Sequence, residues 1–71
     1  MHDISKEFVK VMQENYYYLT KENFVKHLEC FARFNSDTGS LDDPSYYVNL
    51  NQLKKDRKAI MKELKDYFAE V

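Results

Sequence analysis

"NSDTGSLDDPS", residues 35 to 45, contains the only glycine and the only proline of the 71-residue chain, Gly39 and Pro44. Both residues interrupt regular structure, glycine by admitting positive φ and proline by lacking a backbone N–H. The stretch therefore reads as the one clear loop, and the fold follows from what lies on either side of it. Upstream and downstream, apolar residues recur at helical spacing, with no sustained alternation that would build a sheet. The expected architecture is all-α: a small three-helix bundle forming a single domain over residues 1–71, with one acidic loop between the second and third helices.

Cap signals set the expected boundaries. Asp3 or Ser5 can open a first helix over residues 3–17, with Glu7 supplying acid to its first turn. Thr20 is placed to cap a second helix over 20–34. Asn49 with Gln52 three residues on resembles a capping box, which predicts a third helix over 49–70 and a loop over 35–48. The segment "SYYVNL", residues 45 to 50, has strand-like residues but no partner strand, so it reads as an extended arm or an early turn of the third helix.

Projection at about 100° per residue sorts each helix into faces. On the first, Ile4, Phe8, Val9, Val11, Met12, Tyr16, Tyr18 and Leu19 share a wide apolar sector, while Tyr17 points away from it. Asn15 falls inside that sector, which fits a helix already ending there. On the second, Phe24, Val25, Leu28, Phe31 and Ala32 form the stripe. The third, projected as one continuous helix, places Leu50, Leu53, Ile60, Met61, Leu64, Tyr67, Phe68 and Val71 on one side and a strip of lysines beside them. Acidic residues fill the remainder, and Arg57 falls among the apolar residues. A buried guanidinium needs a carboxylate, a route to water or a partner, and Asp42 and Asp43 are the candidate acids.

Size and charge narrow the functional classes. A chain this short buries only about 60 to 65% of the surface its unfolded form exposes, so its stability margin is small. Cys30 is the only cysteine, so no internal disulfide reinforces it. Eleven of the 71 residues are Phe or Tyr, enough to supply dense packing and still leave aromatics over. The formal net charge is −1, which gives the whole molecule no field directed at nucleic acid or an anionic membrane. The sequence has no membrane-length apolar run, and residues 1 to 8 lack the basic start and apolar stretch of a signal peptide, so a cytoplasmic protein is expected.

Candidate chemistry is sparse. His27 and Cys30 lie three apart, but zinc sites normally need three or four ligands and the other histidine, His2, is remote in sequence. Read as a calcium loop from Asn35, the glycine arrives one residue early and the twelfth position is Tyr46 instead of Glu. No metal or cofactor is expected, and no acid, base and nucleophile form a recognisable catalytic set, so an enzyme is not expected.

The expectation is a non-enzymatic protein–protein interaction module acting as regulator, adaptor or inhibitor, with another protein or a second copy as partner. Tyr and Arg are enriched at binding hot spots, which makes Tyr17, Tyr46, Tyr47 and Arg57, with Met61 and Phe68 at the stripe's edge, the candidate partner-binding set. The alternative is a helical nucleic-acid-binding module using Lys54, Lys58, Lys62 and Lys65 to track phosphates. Against it stand the adjoining acidic strip and the negative net charge. A helix-turn-helix arrangement would present Lys21, Asn23 and Lys26 among Glu22 and Glu29, a poor major-groove face.

Overall fold

The computed structural model of the protein describes residues 1–15 and 21–69, without the side chains of Lys21 and Glu22. Within these residues the fold is all-α, with no strand and with four helices: α1 (Asp3–Asn15), α2 (Lys21–Phe34), α3 (Pro44–Lys55) and α4 (Arg57–Ala69). The expectations for Tyr16, Tyr17, Tyr18, Leu19 and Thr20, and for Val71, lie outside the described residues.

The first helix opens on the His2 carbonyl, which accepts from the backbone N–H groups of Ser5 at 3.0 Å and Lys6 at 3.1 Å. Asp3 brings negative charge to its positive end. Ser5 is not a cap: it lies inside the helix, fully buried. At the other end Asn15 is exposed and its side-chain amide donates to the Val11 carbonyl at 2.8 Å. The contact gives the exposed amide a partner one turn back and removes the difficulty of an amide in the apolar sector. After α2, the Phe31 carbonyl accepts from both the backbone N–H of Asn35 at 3.1 Å and its side-chain amide at 2.9 Å.

The expected third helix is corrected at both its start and its middle. Helical structure begins at Pro44, not Asn49, so "SYYVNL" is helix. Asp43 is the N-cap, its side chain accepting from the Ser45 N–H, and Pro44 occupies the first turn, where its missing donor costs nothing. Asn49 is no cap: it sits mid-helix and donates from its side chain to the Ala32 carbonyl of α2 at 3.2 Å. The three-helix bundle becomes four helices because the chain bends at Asp56, whose φ of −94° and ψ of 3° leave the helical basin.

That bend keeps helical hydrogen bonding on both sides. The Asp56 N–H reaches the Gln52 and Leu53 carbonyls at 3.2 Å each, and the Asp56 carbonyl accepts from Ile60 N–H at 2.9 Å. The apolar period therefore runs through the joint almost undisturbed, which is why the sequence reads as one helix.

Packing pairs α2 with α3 and α1 with α4, and α1 also touches α3. The core runs through all four helices: Phe8, Val9 and Met12; Phe24, Leu28 and Ala32; Tyr46, Leu50 and Leu53; Ile60 and Leu64. Phe8 is fully buried and meets Phe24 and Phe31 edge-on, at ring-centroid distances of 6.2 and 5.4 Å. Such contacts add about 0.5 to 1.5 kcal/mol each beyond area burial. Val25, expected in the α2 stripe, is instead 47% exposed.

Candidate interaction surface

The loop after α2 is tied together by hydrogen bonds. Ser36 Oγ donates to the Arg33 carbonyl at 2.6 Å and accepts from the Gly39 N–H at 2.9 Å, while Arg33 Nε donates to the Gly39 carbonyl at 2.7 Å. Gly39 has φ of +73°, a conformation that glycine adopts without the strain a side chain would bring. On the far side, Asp43 Oδ2 accepts from Thr38 N–H at 2.8 Å and Thr38 Oγ1 at 2.9 Å. Its Oδ1 accepts from Ser45 N–H at 2.9 Å and Ser45 Oγ at 2.8 Å. These bonds, led by the Ser45 and Thr38 backbone donors, lower the Asp43 pKa to about 2 against a weaker upward push from desolvation. The carboxylate is therefore charged at neutral pH and committed to the loop.

Around this loop the α2–α3 half of the molecule leaves large apolar side chains in water. Phe34, the last residue of α2, is 86% exposed, and Leu41, Tyr47 and Val48 are each exposed by slightly more than half. Cys30, Arg33, Phe34, Ser36, Thr38 and Gly39 line a shallow depression there. Sequence reasoning missed Phe34, Leu41 and Val48. The available signal for Phe34 was an aromatic residue that falls off the α2 apolar stripe.

The sequence-derived partner set divides. Tyr46 belongs to the core at 7% exposure, and Tyr47 packs edge-on against it, with centroids 5.0 Å apart. Arg57 is exposed at the first position of α4 and is not among the core residues. Asp43, one of the acids considered for it, is occupied by Thr38 and Ser45. Met61 and Phe68 are partly buried against the core, Phe68 edge-on to Tyr67. Arg57, Met61 and Phe68 share one face of α4 by their spacing, whereas Tyr46 and Tyr47 are on α3. Tyr17 lies outside the described residues.

Lys54 is exposed on α3, and Lys58, Lys62 and Lys65 are exposed on α4. The α4 lysines line a second shallow groove with Met61 and Asp66, so one apolar side chain sits among cationic ones. His27 and Cys30 gain no further ligands: among the described residues no three His, Cys, Asp or Glu come together as a metal would require. No helix among them is long and apolar enough to cross a membrane.

A different polar centre lies at the α3–α4 joint, and sequence reasoning missed it. Asp56 Oδ2 accepts from the His2 backbone N–H at 2.7 Å, from Ser5 Oγ at 2.7 Å and pairs with His2 Nδ1 at 2.8 Å. The Ser5 hydroxyl, then the His2 N–H, hold the Asp56 pKa well below the usual carboxylate range. The carboxylate also lies where the positive end of α1 favours an anion. The chain matches no protein-family model, and no curated protein or solved structure matches it.

Proposed function

We propose that the protein is a small non-enzymatic interaction module that binds another protein and acts through that binding as a regulator, adaptor or inhibitor. The observation that carries this reading is Phe34, 86% exposed beside an ordered loop, with Leu41, Tyr47 and Val48 more than half exposed on the same half of the molecule. Burying one such side chain is worth about 1.5 to 3 kcal/mol. A chain with so small a core leaves that gain unused in its free form, and a protein partner can supply it. Aromatic residues are also the ones enriched at interface centres.

The test is a pull-down from source-cell lysate with tagged wild-type protein and with Phe34→Ala and Tyr47→Ala variants, with and without nuclease. A stoichiometric protein that survives nuclease and is lost with the variants supports the proposal, provided circular dichroism shows the helical fold intact. Recovery that depends on nucleic acid, and on Lys54, Lys58 and Lys62 instead of the aromatics, favours the alternative of phosphate tracking by the lysine strip.

A further inference from the structure

The molecule is electrically lopsided along its length. Residues 35 to 48 carry Asp37, Asp42 and Asp43 and no basic side chain, with Arg33 just before them. Residues 54 to 66 carry Lys54, Lys55, Arg57, Lys58, Lys62 and Lys65 against Asp56, Glu63 and Asp66. The two regions are held apart, since the 12 residues of α3 set about 18 Å of helix between them. While α2 packs on α3, α4 packs on α1. The acidic loop therefore cannot fold back onto the lysine groove of its own chain.

Each region also has an apolar centre. At the loop end, Phe34 and Leu41 are exposed; Asp37 follows Phe34 by three residues and Asp42 follows Leu41 directly, both exposed, while Arg33 lines the depression with Phe34. On α4, Met61 lies in a groove lined by Lys58, Lys62 and Lys65, with Asp66 at its margin. An apolar centre within a charged rim is the usual anatomy of a protein interface, and opposite rims set register and suppress wrong partners. The charge that complements each rim is carried by the other end of the same chain.

We infer that the protein associates with a second copy of itself head to tail, the acidic loop end around Phe34 and Leu41 docking into the Met61 lysine groove of the next molecule. Two different surfaces meet, so the contact is heterologous and each added copy leaves both kinds of surface free at the ends. Growth past a dimer follows from that geometry. The inference rests on the reading of the protein as an interaction module and names one of its partners.

Sedimentation equilibrium of the untagged chain tests it. In about 0.02 M salt the weight-average mass should climb above the monomer's 8.6 kDa with concentration and past the dimer value. Raising salt to about 1 M, where the Debye length is about 3 Å, should weaken association about tenfold or more. A loop-reversed variant, Asp37→Lys with Asp42→Lys, and a groove-reversed variant, Lys58→Glu with Lys62→Glu, should each remain monomeric. Mixed, they should associate again and grow by strict alternation of the two chains, because the loop of each carries the charge opposite to the groove of the other. A chain carrying all four reversals should associate again.

A wild-type protein that stays monomeric throughout overturns the inference, and so does association indifferent to salt. Both of those readings use the native chain and need no variant to fold. Reversed variants that still associate, or whose mixture stays monomeric while both are helical, overturn it as well. A monomer that still captures a foreign protein through Phe34 removes this inference and leaves the proposed function standing.

Discussion

Asp43 and Asp56 are two aspartates in comparable posts, each directly before a helix and each gathering several hydrogen bonds on its carboxylate. At Asp43 the donors are Thr38 and Ser45, five residues before and two after. At Asp56 they are His2 and Ser5, 54 and 51 residues away. The first carboxylate organises a loop and the second fastens the start of α1 to the α3–α4 joint. A local hub needs only its own stretch of chain to form. A long-range hub exists only once the helices have packed, and its loss is felt by the packing as a whole.

The largest expected effect is therefore at the joint. Asp56→Ala removes the acceptor for three donors and strands the Ser5 hydroxyl, which is fully buried. Hydrogen bonds to charged groups contribute about 1.5 to 3 kcal/mol, and an orphaned buried donor costs about 1 to 3. A loss of about 2 to 3 kcal/mol is expected in urea unfolding, a large fraction of the stability available to so short a chain. Ser5→Ala takes away donor and polarity together and should cost about 1 kcal/mol. In the Ser5→Ala background Asp56→Ala should then cost less than it does alone, by about 0.5 to 1.5 kcal/mol of coupling. Strictly additive effects would mean that the bond between them contributes nothing.

Asp43→Ala comes next. It removes an N-cap and the acceptor for Thr38, with an expected cost of about 1 to 2 kcal/mol. Because the hub is local, the damage should be local too: hydrogen exchange should quicken at Thr38 and in the first turn of α3, while α1 and α4 keep their protection. Faster exchange throughout, matching Asp56→Ala, would erase the distinction between the hubs.

Legibility in the sequence follows the same division. The all-α class came from apolar spacing and the loop from Gly39 and Pro44, since each is a property of neighbouring residues. The start of α3 was equally local, and "DPS" at Asp43, Pro44 and Ser45 is an N-cap, first-turn proline and donor in succession. The Asn49 and Gln52 pattern competed with it and lost, because Asn49 finds the Ala32 carbonyl across the α2–α3 contact. The bend at Asp56 was not readable, for its donors come from the opposite end of the chain and helical hydrogen bonding persists across it. Arg57 keeps the face that its spacing to Ile60 and Leu64 gives it, but the joint makes it the first residue of α4, where it is exposed. Tyr46 and Tyr47 are adjacent and chemically alike, so only the packing of α3 into the core decides that the first is buried and the second is not.

Acid should separate the hubs from the rest of the fold by a smaller effect. Both carboxylates have folded pKa values below that of an unfolded aspartate, Asp43 at about 2. Below about pH 4 the unfolded chain takes up protons that the folded chain refuses, so stability rises with pH in that range and is lost as pH falls. The urea midpoint should be steady from pH 7 to about 4 as far as these two groups are concerned, then decline toward pH 2. Asp43→Asn retains a capping oxygen but no titrating group, so its decline between pH 4 and 2 should be shallower than wild type. An unchanged slope would mean that Asp43 titrates alike in both states.

The smallest effect on stability should come from the residue that matters most to the proposed function. Phe34 is 86% exposed and ends its helix, so Phe34→Ala removes almost no buried surface and improves helix propensity slightly. Its unfolding midpoint should stay within about 0.5 kcal/mol of wild type, as for other surface substitutions away from caps and cores. If the side chain is held in reserve for a partner, association should fall sharply in a protein that is otherwise indistinguishable from the parent. The two hubs cannot give that result, because a change at either disturbs structure before it disturbs binding. A Phe34→Ala variant that lost stability in step with association would show the ring packed against its own chain, and the case for an interface at the loop end would go with it.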